Sequence, residues 1–424
     1  MSLKVKLTLL NKKNLMFSLE ETHDKELNFL VFGDFGYVDG DKPNPEMQKF
    51  GDFIFNRVMR TFFNYDFFIS LGDNFYPYGL TSINDKKAYV LLEDTFKMTQ
   101  LGLDWYPILG NHDLIGSYDA ALNLHKKFPL WKQSEPYYHK IFNIGTSHLK
   151  AGFVFLNSCD LVCGNKRNPE CFKSMWKNVK PEKIQEQLDY LDATLAMMSQ
   201  DSDLVWKIVV IHNAIFSAGI RHGDNEDLIK LVLPILNKYK VDVVLSGHDH
   251  SVQYLRQDLR VQNKVAHGDL DINPLVFSSS ESEIEEECET PLDTSYCSEQ
   301  EFLHFELTKC GIVKSQNRFG FSQANSRLNN HHPFNIYDSK YSRESNVDQH
   351  EFLHQFVLGN GGTKHEQLCP VNQLDSLGKL RYGHSVSGIG DIKIKEDRIN
   401  IDLISVDNEL LYSVRIFKDV VTVF

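Results

Sequence analysis

Side chains that can bind metal ions follow five short apolar runs in the chain. The apolar runs occupy residues 27–32, 67–71, 106–109, 207–211 and 241–246. Short apolar runs that end at glycine or a polar residue predict buried strands. The side chains that follow them are Asp34, Asp73 with Tyr76, Asn111 with His112, His212, and His248 with His250. Each predicted strand therefore delivers an oxygen or nitrogen donor at its carboxyl end.

The chemistry of these donors indicates a pair of metal ions. Carboxylate, amide, phenol and imidazole groups, with no thiolate among them, suit iron, zinc or manganese. One aspartate can bridge two cations about 3.5–4 Å apart, the separation used in two-metal hydrolysis. His248 and His250 are two residues apart, so they project to the same side of an extended segment. The candidate metal ligands are Asp34, Asp73, Tyr76, Asn111, His212, His248 and His250.

Helical patterns lie between the predicted strands. Apolar residues recur with helical spacing in residues 46–62, 182–197 and 228–239. Strands that alternate with helices predict a layered α/β core, and such folds place their active sites beyond the carboxyl ends of the strands. Residues 153–156 (FVFL) predict one more core strand. The donors are therefore expected at a common end of the strands.

The amino-acid composition of the chain changes after residue 257. Residues 277–300 are rich in serine and glutamate, and residues 315–345 in asparagine, histidine, serine and arginine. Such polar tracts predict little packed structure, although residues 302–307 resemble a strand. Strand patterns resume at 352–358 and continue in 391–395, 399–405 and 410–417. We therefore predict an N-terminal extension (1–26), a catalytic core (27–257), a flexible acidic insertion (258–348) and a C-terminal β part of the same domain (349–424).

The composition is that of a globular protein with a negative net charge. Of the 424 residues, 42% are hydrophobic and 24% are charged, which is enough apolar material for a large core. The 57 acidic residues exceed the 45 basic residues, and this balance disfavours a nucleic-acid partner. No apolar stretch approaches the ~18 residues of a membrane span. Seven scattered cysteines and the lack of an Asn-x-Ser/Thr sequon favour the cytoplasm; a longer N-terminus with a signal peptide would instead give a lysosomal or secreted protein.

Taken together, the five motifs resemble those of a known family. GDFG (33–36), GDNFY (72–76), GNHD (110–113), VVIH (209–212) and GHDH (247–250) are similar to the metal-binding motifs of the calcineurin-like metallophosphoesterases. Gly36 and Tyr76 single out the purple acid phosphatases, since most of the superfamily has histidine two residues after the first aspartate. LGDNFYPYGLTSINDK and SGHDHSVQYL resemble the tartrate-resistant type. The resemblance covers residues 27–256 and, more weakly, 352–420, and it implies a four-layer α/β/β/α sandwich.

The resemblance also implies a role for each donor. The residues implied to bind Fe(III) are Asp34, Tyr76 and His250, and those implied to bind Fe(II), Zn(II) or Mn(II) are Asn111, His212 and His248. Asp73 would bridge the two metal ions. Tyr76, as a phenolate on ferric iron, would give the visible colour of the family. The trivalent ion would lower the pKa of a bound water, and the divalent ion would orient the phosphate.

Two further histidines are candidates for substrate contact. His112 follows a ligand at the mouth of the site, where it would donate a hydrogen bond to the phosphoryl group or protonate the leaving alkoxide. The alternative for His112 is a supporting contact to the ligands. His222, in FSAGIRHGD (216–224), matches a substrate-facing histidine of the family after a one-residue shift; its alternative is an exposed loop histidine. Asp113 is expected to orient a histidine.

The chain also departs from the family pattern. Cys163 matches a family cysteine, but the position of that cysteine's partner holds Asp227. Cys163 could pair with Cys171 instead, and we expect the two thiols to be reduced. The acidic insertion has no family counterpart, and we expect a solvated loop in preference to a regulatory element.

These observations predict an acid phosphatase that hydrolyses small phosphomonoesters or phosphoproteins by attack of a metal-bound hydroxide. One alternative is a phosphodiesterase or nucleotide pyrophosphohydrolase on the same metal pair, which Tyr76 disfavours. Another is a non-catalytic metal-binding scaffold that docks through residues 278–289, which the presence of His112 disfavours. The sequence predicts neither a nucleic-acid nor a membrane partner, and it leaves the oligomeric state open.

Overall fold

Two β-sheets, packed face to face and flanked by helices, form the centre of the fold. A computed structural model describes residues 3–11, 14–21, 26–39, 42–61, 64–163, 171, 173–258, 352–362, 365–369 and 379–418. In chain order the strands are β1 (Leu3–Asn11), β2 (Asn14–Glu21), β3 (Leu27–Phe32), β4 (Val38–Asp39), β5 (Lys42–Pro43), β6 (Phe67–Ser70), β7 (Asp104–Pro107), β8 (Tyr138–Asn143), β9 (Lys150–Phe155), β10 (Leu204–Val210), β11 (Val243–Ser246), β12 (Val252–Asp258), β13 (Phe352–Leu358), β14 (Leu380–His384), β15 (Gly388–Ile394), β16 (Arg398–Ser405) and β17 (Leu410–Phe417). The α-helices are α1 (Pro45–Arg60), α2 (Lys86–Tyr89), α3 (Met98–Leu101), α4 (Asn111–Ile115), α5 (Tyr118–Asn123), α6 (Ser158–Cys163), α7 (Ile184–Gln200), α8 (Glu226–Leu231) and α9 (Leu233–Lys238). Short 3-10 or π turns cover Val90–Thr95, Leu124–Lys126, Lys173–Met175 and Pro181–Lys183.

The strands that carry the motifs are parallel neighbours in the two sheets. In the six-stranded sheet the order is β17-β16-β15-β3-β6-β7, and β3, β6 and β7 are parallel. In the seven-stranded sheet the order is β14-β12-β13-β11-β10-β9-β8, and β13, β11, β10 and β9 are parallel. Parallel strands have their carboxyl ends at the same edge of a sheet. Each sheet therefore collects its motif residues along one edge.

Three apolar clusters separate the described part of the chain into four layers. Between the sheets, Phe29 and Phe67 of the six-stranded sheet pack against Phe153 of the seven-stranded sheet. On the outer face of the six-stranded sheet, Phe32 packs against Phe50 of α1. The outer face of the seven-stranded sheet is covered by α6, α7, α8 and α9. This order of layers confirms the predicted α/β/β/α sandwich.

Helix α1 shows how the local sequence sets the position of a helix. The side chain of Asn44 accepts a hydrogen bond from the backbone N–H of Met47, and Pro45 occupies the first turn, where no N–H donor is needed. Phe50 and Ile54, four residues apart, are fully buried on the face that covers the sheet. The cap and the apolar stripe together fix where α1 begins and which side it buries.

Two of the three predicted helices are confirmed, and the third is interrupted. The helices predicted at 46–62 and 182–197 correspond to α1 and α7. The helix predicted at 228–239 is divided into α8 and α9 at Val232, because Pro234 lacks the N–H group that would continue the hydrogen-bond ladder. Among the residues that the structure describes, no helix is both long enough and apolar enough to cross a membrane.

The C-terminal segments complete both sheets. Strand β13 lies between β11 and β12 in the seven-stranded sheet, whereas β15 pairs with β3 and begins the meander β15-β16-β17 of the six-stranded sheet. The predicted strand 352–358 and the closing meander are therefore confirmed. The predicted insertion lies outside the described residues, apart from Asp258 at the end of β12. Strands β1 and β2 of the N-terminal extension form an antiparallel hairpin.

Cys163, the last residue of α6, is joined to Cys171 by a disulfide bond. Their Cα atoms are 5.4 Å apart, within the usual range for a disulfide. The expectation that these two thiols are reduced is therefore wrong, because the short loop returns the chain to bonding distance. Cys369 also takes part in a disulfide bond.

Candidate metal centre

All seven predicted metal ligands meet where the carboxyl-end edges of the two sheets adjoin. The residues that follow β3, β6 and β7 of the six-stranded sheet are Asp34, Asp73, Tyr76 and Asn111. The residues that follow β10 and β11 of the seven-stranded sheet are His212, His248 and His250. All are buried except His250, whose side chain is 20% exposed. The structure therefore brings together donors that are far apart in the sequence.

The backbone at the site adopts a conformation that most residues avoid. Asp34, Asp73 and His248 have positive φ angles of 56°, 51° and 71°. Left-handed residues other than glycine are uncommon and cluster at functional sites. A Cβ atom at Gly110 would collide with the Asp73 carboxylate, and one at Gly247 would collide with that of Asp34. The glycines of the motifs therefore leave room for the two carboxylates.

Asp73 lies between two groups of donors. Its Oδ2 atom accepts a hydrogen bond from the Tyr76 hydroxyl at 2.8 Å, and its Oδ1 atom lies 3.4 Å from His212 Nε2. On the Oδ2 side, Tyr76 Oη is also 3.1 Å from His250 Nε2 and 3.4 Å from Asp34 Oδ1. The two oxygen atoms of Asp73 therefore face different donors, an arrangement that allows this carboxylate to bridge two cations.

Asn111 is at the centre of the second group of donors. Its Oδ1 atom is 2.9 Å from His212 Nε2 and 3.0 Å from His248 Nδ1. His212 Nδ1 donates to the carbonyl oxygen of Leu71 at 2.7 Å, so Nε2 keeps its lone pair. His212 Nε2 and Asn111 Oδ1 are then two acceptors that face each other, a contact that a shared cation stabilises. Burial lowers the pKa of His212 and His248, which favours the neutral, metal-binding imidazole.

Burial and crowding shift the pKa values of the acids at the site. Burial and the charge of Asp73 raise the pKa of Asp34 well above its ordinary value. Burial also opposes ionisation of Asp73, but His212, His112 and the hydrogen bond from Tyr76 together outweigh it and lower the pKa of Asp73. Burial, followed by the charges of Asp73 and Asp34, raises the pKa of Tyr76 well above its ordinary value. Bound cations would offset this repulsion, so the donor set fits two metal ions.

His112 is held beside the shared carboxylate. Its backbone N–H donates to Asp73 Oδ1 at 2.8 Å, and its Nδ1 donates to the carbonyl oxygen of Pro77 at 2.6 Å. The imidazole packs against the ring of Tyr76, with the centroids 4.3 Å apart. Its Nε2 lies 4.0 Å from Asp73 Oδ2. Because Nδ1 is committed to the carbonyl, Nε2 is the nitrogen that faces the donors.

His222 lies beside the candidate metal ligand His248. Its ring centroid is 4.0 Å from that of His248. Potential ligand atoms of His222, Asp249 and Glu366 all lie within 4.8 Å of one another. The sequence did not indicate Glu366, because it is distant from His222 along the chain and belongs to no motif.

Asp113 has a different role from the one predicted. Its carboxylate accepts hydrogen bonds from three backbone N–H groups, those of Asn74 (3.0 Å), Phe75 (3.2 Å) and Gly110 (2.9 Å). These donors belong to the loops after β6 and β7. The prediction that Asp113 orients a histidine is wrong: Asp113 joins the two loops that carry metal-binding side chains.

Comparisons with known proteins agree with the motifs. A family model described as Calcineurin-like phosphoesterase matches residues 27–252. Purple acid phosphatase 7 of Arabidopsis thaliana is 31% identical over 245 residues, which are 57% of this chain and 70% of that protein. Tartrate-resistant acid phosphatase type 5 of Homo sapiens is 30% identical over 254 residues, which are 58% of this chain and 73% of that protein.

One solved structure shares the fold at lower identity. GAP50, described as the anchor in the inner membrane complex of Plasmodium, aligns with a TM-score of 0.56 and 16% identity over 92% of this chain and 89% of that chain. At this identity the likeness supports the fold alone. The family match and the phosphatase relatives carry the assignment: the chain belongs to the calcineurin-like phosphoesterase family and is a metal-dependent phosphoester hydrolase whose relatives include the purple acid phosphatases.

Proposed function

We propose that this protein is an acid phosphatase that uses two metal ions to hydrolyse phosphate monoesters. The observation that carries the proposal is the position of Asp73, whose carboxylate oxygens face separate groups of donors. The donors on the Oδ2 side are Asp34, Tyr76 and His250, and those on the Oδ1 side are Asn111, His212 and His248. The phenol and carboxylate suit Fe(III), and the amide and imidazoles suit Fe(II), Zn(II) or Mn(II).

His112 is the proposed acid or hydrogen-bond donor to the substrate. Bound metal ions would supply positive charge beside the phosphoryl group and a water of lowered pKa. The hydrogen bond from His112 Nδ1 to Pro77 fixes the ring before substrate arrives, and the Nε2–H of the protonated imidazole then donates to the phosphoryl or leaving-group oxygen. A positioned acid of this kind contributes about 10²–10⁴ in rate.

His222 is the proposed second contact to the substrate. Its ring lies against that of His248, so it borders the second group of donors without joining it. A phosphate monoester presents several anionic oxygens, and imidazole N–H groups are suitable donors to them. We therefore propose small phosphomonoesters or exposed phosphoprotein side chains as substrates.

Two model esters test this function. Metal-loaded protein should hydrolyse para-nitrophenyl phosphate faster than the bis-ester at mildly acidic pH. A preference for the bis-ester would support the phosphodiesterase or pyrophosphohydrolase alternative. Full metal content without turnover of either ester would support the non-catalytic scaffold.

A further inference from the structure

A C-terminal segment, residues 365–369, lies along the loop that carries His222. Gly219 pairs with Leu368 in an antiparallel β-bridge. The two backbone hydrogen bonds that form this bridge run from Ile220 N–H to the Gln367 carbonyl, at 3.0 Å, and from Cys369 N–H to the Ala218 carbonyl, at 2.8 Å. The position of the loop is therefore set partly by a segment from the far end of the chain.

Glu366, in this segment, contacts the loop through its side chain. Its Oε1 atom accepts a hydrogen bond at 2.7 Å from the backbone N–H of Arg221, the residue before His222. The backbone N–H of Glu366 donates to the carbonyl oxygen of His250 at 2.9 Å. Glu366 therefore connects the loop that carries His222 to the loop that carries a candidate metal ligand.

The Glu366 carboxylate also lies beside the His222 imidazole. Potential ligand atoms of Glu366, His222 and the fully buried Asp249 are within 4.8 Å of one another. The loop backbone closes on the same carboxylate, since a Cβ atom on Gly219 would come within 2.8 Å of Glu366 Oε1. His222 also packs against His248, with ring centroids 4.0 Å apart. The imidazole therefore neighbours both Glu366 and a candidate metal ligand.

We propose that Glu366 is a positioning residue that holds His222 in place to contact the phosphate group of the substrate. The inference rests on the proposed function, because it takes His222 to be a substrate contact. Glu366 acts through the loop, by its hydrogen bond to Arg221, with its carboxylate within 4.8 Å of the imidazole. A contact group that moves by an ångström loses much of its effect on binding and rate.

The first test compares Glu366→Ala and Glu366→Gln with the wild type. Each protein is loaded with metal, and its metal content, its kinetics with para-nitrophenyl phosphate and its calorimetric binding of inorganic phosphate are measured. We expect Glu366→Ala to raise KM and weaken phosphate binding by about tenfold, the size of one charge-assisted hydrogen bond. Glu366→Gln should restore most of the affinity, because its amide oxygen can still accept from Arg221. The control is Glu396→Ala, an exposed glutamate between β15 and β16, which should match the wild type.

The second test uses His222→Ala to ask whether Glu366 acts through this histidine. In the His222→Ala protein, adding Glu366→Ala should change neither KM nor phosphate affinity further. Additive effects of the two substitutions would overturn the inference. So would a Glu366→Ala protein that matches the wild type, or one that loses metal and so acts through the metal-binding loop.

The two readouts separate this inference from the proposed function. If the wild type binds phosphate but does not hydrolyse monoesters, the proposed function fails and the phosphate affinities of the variants still decide the role of Glu366. If the wild type neither binds phosphate nor hydrolyses monoesters, both proposals are wrong. If it hydrolyses monoesters and Glu366→Ala has no effect, only the positioning role is wrong.

Discussion

The two sheets supply different halves of the candidate metal centre. The six-stranded sheet contributes four oxygen donors, three of them acids, and the seven-stranded sheet contributes three imidazoles. Burial raises the pKa of Asp34 and Tyr76, so these two acids of the six-stranded sheet depend on nearby positive charge to ionise. Burial lowers the pKa of His212 and His248, so the imidazole side can bind a cation without adding charge. The six-stranded sheet would therefore balance the charge of bound metal ions, and the seven-stranded sheet would complete their coordination.

Contacts between the sheets hold these halves together. His212, from the seven-stranded sheet, donates through Nδ1 to the carbonyl of Leu71, just after β6 of the other sheet, at 2.7 Å. The backbone N–H of Gly33, just after β3, donates to the carbonyl of Leu358 at the end of β13, at 2.9 Å. The site therefore depends on how the sheets pack, as well as on its donors.

Asp73→Asn should have the largest effect, because the Asp73 carboxylate lies between the two groups of donors. An amide is neutral and has one oxygen where the carboxylate has two, so it leaves one group of donors without its oxygen and removes the charge that holds both cations. We expect both metal ions to be lost and turnover to fall below detection. Asp189→Asn, an exposed position on α7, is the matched control and should keep metal and activity. Metal analysis decides: an Asp73→Asn protein with full metal content would show that Asp73 is not the bridge.

His212→Asn should damage only the group of donors formed by Asn111, His212 and His248. The substitution removes Nε2, which faces Asn111 Oδ1 at 2.9 Å, and leaves the group of Asp34, Tyr76 and His250 unchanged. We expect loss of the divalent ion and of detectable turnover, while the ion beside Tyr76 is kept. Loss of both ions in metal analysis would mean that the two groups of donors do not bind their metal ions independently.

His112→Ala should leave both groups of metal-binding donors intact and slow the reaction. The metal content should be unchanged, and kcat should fall by about 10²–10⁴, the usual contribution of a positioned acid. His125→Ala is the matched control, because His125 makes a similar Nδ1 contact to the carbonyl of Leu122 at 2.8 Å, away from the site. A His112 variant that lacks metal would show that His112 is a ligand.

The buried imidazole of His354 allows a further prediction, with a smaller expected effect, of how burial keeps imidazoles of the seven-stranded sheet neutral. Burial lowers the pKa of His354, in β13, to about 3, and its Nδ1 lies 2.9 Å from the Tyr254 hydroxyl. An unfolded histidine titrates near pH 6.5, so as the pH falls below that value the unfolded state gains a proton that the folded state does not bind until about pH 3. The neutral, buried imidazole therefore contributes to the free energy of unfolding above pH 6.5. Acidification removes this contribution, and the free energy of unfolding falls by about 2 kcal/mol at pH 5.

The pH dependence of unfolding in His354→Asn checks this linkage. Between pH 7 and pH 5, the free energy of unfolding should fall by about 2 kcal/mol less in the variant than in the wild type. Denaturant titrations at the two pH values give the difference, and His148→Asn, at an exposed position, should behave as the wild type. Equal pH dependence in His354→Asn and the wild type would show that His354 is not buried as a neutral group.

Features encoded by local sequence could be predicted, and features that depend on distant pairing could not. The strands that precede Asp34 and His212 are apolar runs, and such runs are typical of strands in a buried sheet. The motif residues that follow them could therefore be located from the sequence. The break at Pro234 was also a local signal, although the prediction ran one helix through it. In contrast, Glu366 reaches His222 only because residues 365–369 pair with a loop that is distant in sequence.

The seven donors are proposed to hold two metal ions, with Tyr76 bound to Fe(III). The metal content and visible absorption spectrum of the oxidised wild type and of Tyr76→Phe test this arrangement. We expect a visible band in the wild type that disappears in Tyr76→Phe while the metals and measurable activity remain. Tyr37→Phe, a residue that stacks on Tyr76 at 5.1 Å without belonging to the donor set, should keep the band. An iron-loaded wild type without a visible band would show that Tyr76 does not bind Fe(III).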